Sequence, residues 1–296
     1  MAVLLGEIAA LGSALIWAIA ARIYGQMGQR MSPLLLNFSK GAIALIIGGL
    51  AIIVTRLPLP QIPTTAAVWL GLSGMVGIGL GDSCYLTALK TIGPRRTLVL
   101  ESLAPPLAAL LAWLSFGEVI SGMAWFGIFL TVAGVTWVII ERTVDTVVNG
   151  KHHYRGIIWG LLAALAQASG SVMSRFAFMI AELDPFWTMM IRVFAGMITV
   201  SLLLGRSPPS DRRFPPFAWR WVLVLVGTAF ASTFLAIIGQ QTALKYAPAG
   251  IAQALLATSP LFILPIAAWS GEKLSFRAIF GVGVAMAGIT LLLFNR

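Results

Sequence analysis

Two carboxylates, Asp82 and Glu101, stand inside strongly apolar stretches of the chain. An ionised carboxylate at mid-bilayer costs about 2.5–3.5 kcal/mol even on lenient insertion scales. Such a group faces a polar interior, pairs with a base or stays protonated. Asp82 and Glu101 flank one tight connector, Gly93-Pro94-Arg95-Arg96, so both lie toward the same face. One reading makes each a structural partner of Lys90, Arg95 or Arg96. The other makes it a proton-binding group or a contact for a substrate amine. Lys40 and Arg192 each follow a proline, Pro33 and Pro185, by seven residues. That is about 10 Å into a helix at 1.5 Å per residue. From there a long basic side chain snorkels to the surface, or it pairs with an internal carboxylate or an anionic substrate group.

Uncharged polar residues add to this set. Trp17 shares a helical face with Ser13, Ala20 and Tyr24, and Gln167 shares one with Ser171 and Ser174. Tyr85 falls one turn after Asp82, and Gln253 two turns before Pro260. Gln and Ser are unfavourable against lipid, so these faces look inward, toward other helices or a ligand.

Other chemistries find no support. The single cysteine, Cys84, has no partner for a disulfide, and the only histidines, His152 and His153, are adjacent in a polar connector. No metal motif, nucleophile with its base or phosphate loop of the form GxxxxGK[ST] occurs. We therefore expect no metal, no cofactor and no ATP-driven pump. A membrane-embedded enzyme is the remote alternative. Asn37-Phe38-Ser39 matches a glycosylation sequon by chance, because it falls within an apolar span.

The elements that hold these residues are set by composition. Of 296 residues, 59% are hydrophobic and 10% charged. Ordinary soluble domains carry about 25% charged residues, so a bilayer is the solvent that suits this chain. The net charge of +10 is spread singly between apolar runs, which argues against nucleic acid and for loop charges of a multi-span protein. Ten spans are expected, near 3–24, 33–54, 67–88, 97–116, 121–140, 156–179, 185–204, 219–240, 249–269 and 274–294. The first carries Glu7 and lacks a basic start, which favours a retained span over a cleaved signal.

The chain repeats itself. Thr87-Ala88-Leu89-Lys90 recurs as Thr242-Ala243-Leu244-Lys245, an offset of 155. At the same offset Tyr85 falls on Gln240 and Pro105 on Pro260, while Asp82 falls on Ile237 and Glu101 on Leu256. One residue shorter, Gly117-Glu118 falls on Gly271-Glu272. The spacing of Pro33 and Lys40 is that of Pro185 and Arg192. Each half then holds five spans. Five is odd, so the halves enter the membrane from opposite sides, as inverted repeats do in many secondary transporters. The fold class expected is all-α and integral to the membrane: ten transmembrane helices as two inverted five-helix repeats. Prolines in matching spans, Pro105 with Pro106 and Pro260 with Pro265, are candidate hinges at a midplane site or packing kinks.

Gly81-Asp82, Tyr85, Ala88-Leu89-Lys90, Gly93-Pro94-Arg95-Arg96, Pro105 and Gly117-Glu118, on this five-plus-five layout, resemble EamA-type members of the drug/metabolite transporter superfamily. The resemblance implies repeats at 1–142 and 156–296 joined by a connector at 143–155. It implies a cavity lined mainly by spans one, three, four, six, eight and nine. It further implies a multi-pass exporter of small metabolites in a plasma or bacterial inner membrane, with a small-molecule substrate and the lipid bilayer as its partners. Carboxylates and bases together suit a zwitterion such as an amino acid, with proton coupling through Asp82 or Glu101. A lipid-linked-sugar flippase shares the architecture and is the alternative. Small residues in the fifth and tenth spans, Gly127, Ala133, Gly134, Gly281, Ala285 and Gly288, either pack inside a monomer or form a homodimer face. Orientation stays open. The resemblance implies cytoplasmic termini, yet Arg30, Arg95, Arg96, Arg142, Arg206 and Arg212 all lie on the face opposite the termini, and the positive-inside rule would make that face cytoplasmic.

Overall fold

The computed structural model describes residues 2–141, 151–212, 214, 218–259, 261–262 and 276–294. The ten expected spans are helical there. They are α1 (Ala2–Met27), α2 (Pro33–Thr55), α3 (Thr64–Gly93), α4 (Thr97–Phe116), α5 (Gly122–Glu141), α6 (Lys151–Ile180), α7 (Pro185–Arg206), α8 (Trp219–Tyr246), α9 (Ala249–Leu256) and α10 (Phe276–Phe294). Seven of them, α1 to α4 and α6 to α8, are long and apolar enough to cross a bilayer on their described residues alone. His152 and His153 fall in the first turn of α6 rather than in a connector.

Local chemistry sets the ends. Ser32 caps α2 by accepting from the Leu35 N–H, and Asp184 caps α7 by accepting from the Phe186 N–H. Each cap is followed by a proline at the first helical position, where its missing N–H is no loss. Between α3 and α4 the backbone reverses at Gly93, whose φ of 80° and ψ of 163° suit only glycine. Gly117 closes α4 with φ 67° and its N–H on the Trp113 carbonyl.

The halves interlock. α1 packs on α8 as α6 packs on α3; α2 packs on α8 as α7 packs on α3. α2 meets α7, α4 meets α9, and α5 meets α10. Exchanging each helix with its counterpart five spans on leaves this set of contacts unchanged, which is the pseudo-two-fold of two inverted repeats. Large apolar side chains such as Ile53, Phe126, Phe129 and Leu202 face outward, while the interior is rich in alanine. That is how helices pack when lipid is as apolar as the side chains and close backbone approach has to supply the attraction.

The small residues of α5 and α10 serve this packing. A Cβ at Gly134 would lie 2.3 Å from Ala285 N, and one at Gly288 2.5 Å from Thr131 N. The closest approach is between α3 and α7, where a Cβ on Gly74 would lie 2.1 Å from the Arg192 carbonyl oxygen. Backbone cannot yield there. Gly74→Ala should therefore lower stability by about 1–3 kcal/mol, the usual range for overpacking. Gly71→Ala, with nothing within 4 Å of the added carbon, is the control and should melt like the parent. Thermal unfolding of both variants in detergent checks this.

Candidate functional site

α3 and α8 each contain a run of wide, π-helical turns, at Gly74–Gly81 and Phe230–Leu235. These runs match under the repeat. The Asp82 N–H reaches back five residues to the Gly77 carbonyl, and the Ala236 N–H reaches back five to Ala231. Wide turns leave carbonyls to be satisfied elsewhere. Asn37 Nδ2 donates to the Ile78 carbonyl at 3.0 Å and to Ser83 Oγ at 2.9 Å, and Trp17 Nε1 donates to the Ser232 carbonyl at 2.9 Å. The Asn37 of the sequon is thus fully buried on a structural task.

A second pair of irregularities faces the first. α4 is interrupted by a turn at Ser102-Leu103, just before Pro105, and α9 gives way to a turn at Ala257-Thr258. These too match under the repeat. Pro260 and Pro265 lie outside the described residues, as does the pair Gly271-Glu272.

Between the irregular segments lies a cavity of about 160 Å³. Helices α1, α3, α4, α6, α8 and α9 wall it, and one side chain each from α2 and α7 reaches in. Trp17, Lys40, Asp82, Tyr85, Glu101, Gln167, Arg192, Gln240 and Gln253 all line it. Ser171 does not; it sits behind the wall and accepts a hydrogen bond from Gln253 Nε2. Tyr24, Ser102, Ser232, Thr233 and Ser259 complete the polar lining.

Asp82 pairs with Lys40 across α3 and α2, with Nζ 2.5 Å from Oδ2. The pairing with Lys90 is not seen: Lys90 is exposed. Lys40 therefore does not snorkel. Its ammonium also lies 5.9 Å from the Tyr24 ring centre, and the Tyr24 hydroxyl shares a 2.8 Å hydrogen bond with Ser232. Glu101 is half-buried at the break in α4 and forms no ion pair among the described residues. Arg192 is 1% exposed and donates from Nη1 to Gln240 Oε1 at 3.1 Å.

One face of the bundle carries a set of ties between the halves. Arg175 Nε meets Glu118 Oε1 at 2.9 Å, and its Nη1 donates to the carbonyls of Leu244 (2.9 Å) and Lys245 (2.8 Å). Glu118 Oε2 accepts from the Ala249 N–H at 3.1 Å. Lys245 Nζ donates to the Leu183 carbonyl at 2.9 Å. The guanidinium thus satisfies orphan carbonyls ending α8, and the carboxylate satisfies an orphan N–H opening α9. Glu118 belongs to the first half and all its partners to the second. This clasp lies on the face that carries the N-terminus; the cavity lining takes Tyr24, Tyr85, Leu98 and Glu101 from the opposite-face halves of α1, α3 and α4, and reaches toward the clasp at Arg192, Gln240 and Gln253. The repeat singles out Glu118 in the sequence, but nothing in the spacing joins it to Arg175.

A profile of the EamA-like transporter family matches residues 4–140 and again 154–294. The chain belongs to the EamA-like transporter family. Members are transporters, and the match recurs once in each inverted half, so this is a multi-pass membrane transporter. Its fold recurs in a solved structure described as "Crystal structure of protein", which is 18% identical, has a TM-score of 0.77 and is matched over 100% of this chain and 97% of its own. At that identity the likeness concerns the fold alone. No curated protein matches the chain.

The Lys40–Asp82 pair makes the site's electrostatics testable. Lys40→Met leaves a carboxylate without its cation and should destabilise by roughly 1–3 kcal/mol. That is less than the 3–5 kcal/mol for a fully buried pair, because the two side chains are 10% and 26% exposed to the cavity. Lys40→Met/Asp82→Leu should recover most of the loss. Melting temperatures of the single and double variants decide it.

Proposed function

We infer that the protein is a secondary active transporter that exports small zwitterionic metabolites, amino acids among them, by alternating access in a cell membrane. The observation that carries this reading is the cavity between the two halves, polar and charged within, whose N-terminal face is clasped by Glu118 and Arg175. A site of this kind serves transport when the clasp opens as the other face closes. The halves pivot on the interruptions in α4 and α9, with Pro105 and Pro260 as the hinge positions. The substrate is small because the cavity holds about 160 Å³. It is zwitterionic because Lys40, Asp82, Glu101 and Arg192 present both signs of charge to one space.

Protons drive the cycle through a carboxylate. Asp82 is held by Lys40, which leaves Glu101 as the group able to exchange a proton with the cavity. A protonated Glu101 avoids the penalty of burying an anion when the cavity is sealed. Trp17, Tyr85, Gln167, Gln240 and Gln253 form the neutral walls, and Ser171 fixes the rotamer of Gln253.

Purified protein in proteoliposomes tests the reading. Amino acids should accumulate when a pH gradient is imposed and should stop accumulating when an ionophore dissipates it. Glu101→Gln should lose at least tenfold of gradient-driven accumulation while retaining exchange of labelled for unlabelled substrate. Full gradient-driven accumulation by Glu101→Gln contradicts the coupling role. Stabilisation by lipid-linked sugars alone, with no water-soluble metabolite bound, moves the function to the flippase.

A further inference from the structure

The two halves are alike in their buried cations and unlike in their anions. Lys40 and Arg192 hold the same place, seven residues past the proline that opens α2 or α7. In the first half Lys40 meets Asp82, which stands five residues before Thr87. In the second half the position five residues before Thr242 is Ile237. Arg192 therefore has the setting of an ion pair without the adjoining carboxylate: the charge of Asp82 acts on it from across the cavity lining, but no described carboxylate lies within ion-pair distance.

The hydrogen bonding around Arg192 is incomplete in the same place. Arg192 is 1% exposed and Gln240 2% exposed, yet Arg192 Nε and Gln240 Nε2 have no acceptor among the described residues. Both residues line the cavity. Their one mutual bond uses Gln240 Oε1, so the amide is turned with its donors free. Space is also kept for the guanidinium: a Cβ on Gly77, in the wide turn of α3, would lie 3.2 Å from Nη2. A buried cation and two buried, unused N–H donors beside a cavity call for an anionic acceptor, because each is costly when left unmet.

We propose that Arg192 and Gln240 form a carboxylate-binding subsite, in which the substrate's own carboxylate supplies the anion that Ile237 replaces in the second half. This rests on the transport reading above and sharpens it. The carboxylate docks deep, at α7 and α8, and the remainder of the substrate extends toward Glu101 and the Lys40–Asp82 pair. A compound without a carboxylate forfeits this contact whatever its side chain. Specificity is then set by the acid group first.

The test uses full-length protein in detergent, in chloride-free buffer, with matched compounds on alanine, leucine and phenylalanine frames. Each set holds the amino acid, its amide, the amine lacking the carboxylate and the acid lacking the amine. Melting shifts and dissociation constants are read for each. Compounds with the carboxylate should bind roughly tenfold to a hundredfold more tightly than their partners without it, the usual range for hydrogen bonds to a charged group. Arg192→Gln should abolish that preference. Its empty form should melt no lower than the parent, because a buried cation outside any ion pair has been removed. Ile237→Asp, which completes the second ion pair inside the protein, should also abolish the preference. Gln240→Leu should weaken it, so the outcome does not hang on one variant folding. Amides and amines that bind as tightly as the amino acids overturn the subsite and leave the transporter reading standing. Equal stabilisation by chloride alone assigns Arg192 to an inorganic anion and overturns the substrate role. Binding and proteoliposome uptake of none of the compounds overturns both.

Discussion

A charge inside a bilayer protein needs a partner, and among the described residues Lys40, Arg175 and Arg192 answer that need differently. Lys40 meets Asp82, which joins α2 to α3 within the first half. Arg175 meets Glu118, which joins the second half to the first at the N-terminal face. Arg192, outside any ion pair among the described residues, donates to the side-chain oxygen of Gln240. The first pair stands in one wall of the cavity, the second ties helices of the two halves together at one face, and the third base lines the cavity outside any ion pair among the described residues. Hydrocarbon makes each of these arrangements consequential, since water cannot stand in for a missing partner.

The backbone obeys the same constraint. Wide turns in α3 and α8 would leave carbonyls stranded in lipid, so they survive only inside the bundle, where Asn37 and Trp17 reach them. The repeat explains why such turns come in pairs. One five-helix unit used in both orientations brings its irregular helix to the centre twice, and the cavity forms where the two copies meet. Symmetry sets the frame, and the site departs from it. Asp82 and Glu101 have Ile237 and Leu256 as their counterparts, so the carboxylates of the cavity lining all come from the first half.

Much of the frame is legible in the sequence because apolar runs and repeat offsets are local signals. The third and eighth spans are the instructive shortfall. Read as 67–88 and 219–240, they run on to Gly93 and Tyr246. Their ends carry Lys90 and Lys245, which look like connector residues yet continue the helix. The cavity lining is legible as polarity at helical spacing, since a glutamine or carboxylate within a span has little choice of direction. Pairing is not legible. Nothing in the spacing of Lys40 and Asp82 joins them, and Lys90, Arg95 and Arg96 are nearer in the chain to Asp82. The clasp of Arg175 on Glu118 depends on the approach of α6 to the α4–α5 connector, which only the packed bundle supplies. Ser171 shows the reverse limit: helical phase put it on the inward face, but Gln253 stands between it and the cavity.

The central claim is that the cavity is reached from alternate faces through the Glu118–Arg175 clasp. Thiol labelling tests it most directly, with single cysteines at Ser232 and Gln253 in a Cys84→Ser background and membrane-impermeant reagents applied to one face of oriented vesicles at a time. The account predicts labelling of both positions from the face opposite the termini. It also predicts labelling from the N-terminal face that is weak in the parent and rises severalfold in Glu118→Gln. Labelling confined to one face in the parent and in Glu118→Gln alike would contradict it.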